Sequence, residues 1–126
     1  MGGFGALRLG AKHAPRFRAV SGHSSATRAD QLKDFFAAGT NARGLAEEDR
    51  SVLAAMRRHR AALPPIRFDC GSEDELLPGN RELHAALEAA GIPHRYEEFP
   101  GGHTWDYWER HLVDTLLFFA ETLRAS

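Results

Sequence analysis

Short apolar runs alternate with stretches of helical periodicity along this chain of 126 residues. The apolar runs cover residues 17–21, 66–70 and 94–99, and the helical patterns cover residues 6–13, 30–37, 46–60, 80–90 and 105–123. Alternation of this kind favours a parallel sheet whose strands are joined by right-handed helical crossovers. The sequence therefore predicts an α/β fold with three parallel strands and flanking helices.

Glycine, proline and small polar residues mark the ends of these elements. Pro15 ends the first helical pattern, because the residue before a proline is pushed out of the helical region. The polar stretch "SGHSSATRAD" predicts a loop after the first strand, and residues 71–78 predict another after the second. Residues 39–44 break the middle helical region, and Gly91 and Pro93 end the helix over 80–90.

The C-terminal segment carries large apolar residues at spacings of three and four. This spacing places them on one face of a helix. They are Trp105, Trp108, Leu112, Leu116, Phe119 and Leu123. A stripe of this kind is expected to face a core.

Composition and charge exclude several classes of function. The chain is 43% hydrophobic and 26% charged, which is typical of one soluble globular domain over residues 1–126. Its formal net charge of -1 gives no field that would attract nucleic acid or an anionic membrane. The basic run at residues 56–60 is interpreted as a solvated helix face. The sequence contains no signal peptide pattern or membrane span, so the expected location is the cytoplasm.

Candidate functional residues follow the second and third predicted strands. Ligand sites in parallel sheets lie beyond the carboxyl ends of the strands. Asp74 occurs in the loop after the second strand and His103 in the loop after the third, each near a glycine. In α/β serine hydrolases the chain order is nucleophile, acid and base, and the nucleophile lies on a G-x-S-x-G turn. The acid and base follow that order here, after a glycine-rich start without the serine.

Three segments carry a resemblance to a known family. "MGGFGALRLG", "CGSEDELLPGNRELHAALEAAGIPHRYEEFPGGHTWDYWERHL" and "LLFFAETL" resemble the C-terminal half of the esterase D-like α/β-hydrolases. This branch includes S-formylglutathione hydrolases, tributyrin-type esterases and relatives of mycolyltransferases. The resemblance covers nearly the whole chain, with residues 26–63 as a divergent helical excursion. It implies a partial α/β-hydrolase fold.

The resemblance also implies roles for individual residues. The family's elbow reads G-x-S-M-G-G-x-G-A, so the chain would begin directly after the nucleophile serine. Gly2 and Gly3 would be elbow glycines, and the backbone N–H of Met1 would belong to the oxyanion hole. Asp74 would be the catalytic acid and His103 the catalytic base.

The implied activity of the full-length protein is hydrolysis of small carboxylic esters or thioesters through an acyl-enzyme. Neither a metal nor an organic cofactor is implied, since the triad and oxyanion hole supply the chemistry. Without the serine, the chain alone is expected to be inactive. The alternative is a catalytically silent module that acts only through protein association, with the N-terminal half of the fold or a second copy as its partner.

Three other residues are alternatives to these assignments or compete with them. Ser24, in "GHSSA", is an alternative nucleophile, although residues 21–25 are interpreted as a loop lining the pocket. Asp69 is a rival acid, but it lies within the strand run. Cys70 is predicted to be a buried small residue, because the neighbouring Asp69 would raise the pKa of its thiol.

Two further interpretations concern histidine and tryptophan. The spacing of His94, His103 and His111 matches no compact zinc pattern, so a metal site is not expected. Trp105 and Trp108 are assigned to packing on the apolar stripe, with an acyl pocket as the alternative.

Overall fold

The structure is a computed structural model that describes residues 1–35 and 44–125. The helices are α1 (Gly2–Lys12), α2 (Glu47–Arg50), α3 (Val52–Arg58), α4 (Leu77–Ala89) and α5 (Trp105–Arg124), and the strands are β1 (Val20–His23), β2 (Ile66–Gly71) and β3 (Arg95–Phe99). Short 3-10 helices cover Ala14–Arg16, Ala29–Phe35 and Arg60–Ala62. The end of the predicted helix over 30–37 and most of the break at 39–44 lie outside the described residues.

The three strands form one parallel sheet in the order β1-β2-β3. Val20 pairs with Ile66, and Phe68 pairs with Tyr96. Every residue of the central strand β2 is buried, which is typical of a parallel strand covered on both faces. The predicted α/β fold with three parallel strands is confirmed.

Helix α1 begins four residues earlier than the pattern predicted. Glycine has a low helix propensity, so the pattern does not predict a helix through Gly2 and Gly3. Packing explains the difference: a Cβ at Gly3 would lie 2.0 Å from the Ser25 side chain, and one at Gly10 would lie 2.3 Å from Val20. The glycines therefore allow α1 to lie close against β1 and the turn that follows it.

Strand β1 lies further along the chain than predicted. The expected strand over 17–21 begins instead at Val20 and continues beyond Ser21 to His23, which the polar pattern assigns to a loop. Both polar side chains have a distant partner, because Ser21 Oγ lies 2.5 Å and His23 Nε2 lies 2.7 Å from the hydroxyl of Thr115. Hydrogen bonds to α5 thus satisfy the polar groups that suggested a loop.

The predicted helix over 46–60 is divided at Ser51. This residue is extended, with φ −142° and ψ 126°, and its hydroxyl accepts a hydrogen bond from the Ala54 amide. It is therefore the N-cap of α3. The adjacent amide of Val52 donates to the Thr27 carbonyl, which ties this helix start to the loop after β1.

The two faces of the sheet are covered differently. Alternate side chains of a strand point to opposite faces, so Phe68 joins the apolar core with Leu7 and Met56, whereas Arg67 and Asp69 face α5. Helix α5 therefore meets β2 through polar contacts, while Arg95 of β3 lies over the ring of Phe118. No helix among residues 1–35 and 44–125 is long and apolar enough to span a membrane.

The expectation that the apolar stripe of α5 faces a core is wrong for this chain. Trp105 is 81% exposed, and Leu112, Leu116 and Leu123 are each more than half exposed. The buried residues of α5 are instead Tyr107, Thr115 and Phe118. The face of α5 that meets the sheet is the partly polar one, which turns the stripe away from this sheet.

Candidate active site

Asp74 is fixed by the turn that follows β2. Its amide donates to the Gly71 carbonyl, and its Oδ1 accepts a hydrogen bond of 2.8 Å from the Leu76 amide, just before α4 begins. The carboxylate is 1% exposed. One oxygen therefore holds the turn, and the other remains available to a second partner.

That partner is His103. Its Nδ1 lies 2.9 Å from Oδ2 of Asp74, although 29 residues separate the two in the chain. The imidazole is 46% exposed, and no hydrogen bond to its Nε2 occurs within the part of the chain that the structure describes. The structure thus brings the predicted acid and base together, with Nε2 open to the cleft described below.

Backbone contacts set the distance between the two loops. The amides of Ser72 and Glu73 donate to the carbonyls of Phe99 and Gly101, each at 2.9 Å. A Cβ on Gly71 would lie 2.2 Å from the Gly101 oxygen, and Gly101 has a φ of +126° that favours glycine. The close approach of the loops therefore depends on glycine at both points.

His103 opens into a cleft of about 720 Å³ at the carboxyl end of the sheet. The cleft is lined by the start of α1, the end of β1 and the first two turns of α5, including Met1, Gly2, Gly3, Ser24, Trp105 and Trp108. Trp108 also packs against the rings of His103 and Trp105, so lining the cleft does not exclude the packing role assigned to the two tryptophans, and the acyl pocket stays a prediction. The elbow positions predicted at the start of the chain share the cleft with the predicted base.

Ser24 lies at the end of β1 with a positive φ of 51°, which is uncommon for a residue other than glycine. It is 1% exposed, and its hydroxyl accepts a hydrogen bond of 3.1 Å from the Trp108 indole N–H. In the described structure the hydroxyl is not hydrogen-bonded to His103. The expected loop over residues 21–25 is reduced to its last two residues, because residues 21–23 belong to β1.

Asp69, the rival acid, belongs to a separate buried cluster. Its carboxylate lies 2.6 Å from Arg67 Nη1, 2.7 Å from the Tyr107 hydroxyl and 2.7 Å from His23 Nδ1. Burial opposes ionisation of this carboxyl, but its hydrogen bonds, from His23 first, hold its pKa below the usual value. Sequence reasoning missed this cluster, whose one signal was the alternation of Arg67 and Asp69 in an apolar strand.

Cys70 is buried as predicted, in β2 between the two aspartates. Burial, and then the charges of Asp74 and Asp69, raise the pKa of its thiol to about 12. A thiol in this state is a poor nucleophile near neutral pH.

The three histidines weighed as metal ligands have different partners. His94 lies 2.7 Å from His84, His103 contacts Asp74, and His111 lies 3.0 Å from Asp114. Within residues 1–35 and 44–125, no group of three or more ligating side chains is arranged to hold a metal ion.

Comparison with known proteins points to one family. The family model named Esterase matches residues 1–119. The chain is 29% identical over 131 residues to an acetyl esterase of Caldicellulosiruptor saccharolyticus, covering 90% of this chain and 49% of that protein. It is 32% identical over 135 residues to esterase Rv1288 of Mycobacterium tuberculosis, covering 83% of this chain and 29% of that protein.

Solved structures agree with this result. An S-formylglutathione hydrolase of Staphylococcus aureus superposes with a TM-score of 0.80 at 19% identity, over 94% of this chain and 50% of that chain. A ferulic acid esterase superposes with a TM-score of 0.78 at 29% identity, over 97% of this chain and 48% of that chain. The chain thus has the fold of these enzymes and spans about half of their length or less.

Proposed function

We propose, because this chain belongs to the Esterase family of α/β-hydrolases, that it supplies the acid and base of a serine-type carboxylic-ester hydrolase. One observation carries the proposal: the Asp74 carboxylate meets Nδ1 of His103 at 2.9 Å. The imidazole opens into the same cleft as the start of α1. This geometry suits a base whose second nitrogen faces the reacting group.

In the proposed reaction, Nε2 of His103 takes the proton of a serine hydroxyl as its oxygen bonds to the acyl carbon. The leaving alcohol or thiol departs with the proton from His103, and water then releases the acyl group by the same steps. Asp74 holds the imidazole in the required tautomer and stabilises its charged form. The backbone N–H of Met1 would donate to the oxyanion.

The nucleophile is proposed to stand directly before Met1 in the full-length protein, as the resemblance implies. Gly2 and Gly3 would then be the glycines of the elbow, and the cleft would hold the acyl group against Trp105 and Trp108. Short acyl esters or thioesters are the proposed substrates. The chain alone would lack the group that forms the acyl-enzyme.

The test compares two proteins. One is this chain, and the other is the longer protein obtained by extending the reading frame upstream, so that residues Gly-x-Ser directly precede Met1. With p-nitrophenyl butyrate, the extended protein should show saturable hydrolysis, and the 126-residue chain should not exceed background. His103→Ala should lower kcat of the extended protein by about a thousandfold or more. His94→Ala is the matched control, because His94 contacts His84 and Ile92 outside this cleft.

Two results would contradict the proposal. Full activity in the His103→Ala extended protein would exclude this residue as the base. Saturable hydrolysis by the 126-residue chain that requires Ser24 would show that the nucleophile lies within the chain.

A catalytically silent role in protein association is the second candidate. It is favoured by the exposed apolar stripe of α5 and by the position of β1 at the edge of the described sheet. The occupant that fits both is the half of the fold that the structural neighbours have and this chain does not span. Sedimentation of the chain with and without a separately expressed upstream half would distinguish binding of that half from self-association.

A further inference from the structure

The imidazole of His103 is restrained on one side by Asp74 alone. It lies in the loop between β3 and α5 and is nearly half exposed. A single hydrogen bond fixes one ring nitrogen but leaves the ring free to tilt about that contact. A base must hold its second nitrogen close to one geometry, since small displacements cost large factors in rate.

A second restraint is present on α5. The indole of Trp108 packs against the His103 imidazole with ring centroids 4.9 Å apart and an interplanar angle of 89°. This edge-to-face arrangement is the favoured geometry for aromatic pairs. Trp108 is linked to the same loop, because its amide donates to the Thr104 carbonyl.

Ser24 fixes the indole in turn. Its hydroxyl accepts the hydrogen bond from the Trp108 N–H at 3.1 Å, and its amide donates to the Asp69 carbonyl in β2 at 2.8 Å. The left-handed conformation of Ser24 is costly for a serine and is retained at a buried position. The strain has a structural use, since this turn carries the hydroxyl to the indole.

We infer that Ser24 and Trp108 form a brace that positions the imidazole of His103, with Trp108 as the contact and Ser24 as its anchor. The inference rests on the proposed function for the role of His103 as a base. Both are positioning residues, because they act through the imidazole. The brace also gives Ser24 a role other than that of a nucleophile.

The experiment is NMR spectroscopy of the ¹⁵N-labelled chain at pH 9, which reports the tautomer of His103 and the exchange of its Nδ1 proton with water. Two variants each remove one partner of the hydrogen bond between Trp108 and Ser24. Ser24→Gly removes the hydroxyl and tolerates the positive φ, and Trp108→Phe keeps an aromatic ring but loses the N–H. Each should increase Nδ1 proton exchange and the Nε2–H tautomer by about fivefold, the factor expected for one neutral hydrogen bond.

Two controls match these variants. Ser25→Ala removes the neighbouring buried hydroxyl, which makes no hydrogen bond in the described structure. Trp105→Phe alters the tryptophan that packs against Trp108 and makes no ring contact with His103 in the described structure. Both controls should leave the tautomer ratio of His103 within twofold of the original chain.

The brace is overturned if Ser24→Gly and Trp108→Phe give the same tautomer ratio and exchange rate as the controls. A change in Trp108→Phe alone would overturn the anchoring role of Ser24. The readout does not require ester turnover, so its failure is separate from failure of the proposed function. An intact brace in an inactive extended protein would contradict the proposed function and leave the brace standing.

Discussion

Two aspartates five residues apart, Asp69 on β2 and Asp74 in the loop after it, are each paired with a histidine. The two pairs differ in how many of the ring nitrogens of the histidine have a partner. Asp69 is fully buried, and both ring nitrogens of His23 lie 2.7 Å from a partner, Nδ1 from Asp69 and Nε2 from Thr115. Asp74 and His103 use one ring nitrogen and leave the other facing a cleft. The same two residue types therefore serve stability in one place and suit chemistry in the other.

The difference lies in what surrounds each imidazole. Nε2 of His23 contacts the Thr115 hydroxyl, whereas His103 packs against the ring of Trp108, and its Nε2 makes no hydrogen bond in the described structure. A base needs an available nitrogen within reach of the substrate. An aspartate–histidine pair is thus a candidate catalytic site only when the histidine nitrogen that does not contact the aspartate remains accessible.

The largest loss of stability is expected when the buried ion pair of Asp69 with Arg67 is removed. Asp69→Asn should lower the free energy of unfolding by about 3 kcal/mol, because it leaves the fully buried Arg67 without its main counter-charge. Glu97, 3.3 Å from the same guanidinium, compensates only in part because it is partly exposed. Urea unfolding followed by circular dichroism measures the loss, with Asp74→Asn as the matched control at about 1 kcal/mol.

The pH dependence of unfolding in acid tests the same substitution by a second measurement. The pKa of Asp69 is lowered on folding, so its contribution is complete above the unfolded value near 3.8 and is lost as the pH falls through the folded value. Asp69→Asn should therefore make the free energy of unfolding depend less steeply on pH in acid. An unchanged pH dependence would mean that this carboxylate contributes little.

A smaller effect separates the two imidazoles. His23→Phe should cost about 2 kcal/mol, because it leaves a buried carboxylate and the Thr115 hydroxyl each without one partner. His103→Phe should cost less, about 1 kcal/mol, because that ring is nearly half exposed and its loss leaves one oxygen of the buried Asp74 carboxylate without a partner. Thermal unfolding of the two variants side by side makes the comparison, and equal losses would contradict the distinction between the pairs.

The smallest effect is expected at Cys70, between the two aspartates. Its thiol pKa of about 12 and its burial predict slow alkylation by iodoacetamide at pH 8 in the folded chain. Asp69→Asn should accelerate the reaction by opening β2, and His103→Phe should not. Mass spectrometry measures the rates, and rapid alkylation of the unaltered chain would show that β2 is more open than the structure indicates.

Most of the architecture could be predicted from local patterns. The short apolar runs and their glycine and proline boundaries predicted three parallel strands, and β2 and β3 lie within one residue of the expected bounds. The start of α1 and the bounds of β1 could not be predicted in this way. Both depend on contacts with distant residues, such as Gly3 with Ser25 and Ser21 with Thr115.

Sequence patterns identified the candidate residues that follow a strand and missed the buried polar cluster that lies within the strands. Asp74 and His103 follow the ends of β2 and β3, and the family resemblance gave each its implied role. His23 and Arg67 were missed because their partners are as many as 92 residues away. The apolar stripe of α5 predicts the wrong inward face, because the residues that face the sheet include Thr115 and Tyr107.

The backbone hydrogen bonds between the loop that carries Asp74 and the loop that carries His103 have a consequence for protein engineering. Main-chain hydrogen bonds and the contact of Gly71 with Gly101 determine the distance between the two loops. The loops, together with β2 and β3, therefore form a unit that could be transferred to another protein. Transplanted together into another parallel sheet, they would carry their carboxylate–imidazole distance with them. Transplanted one at a time, they would not.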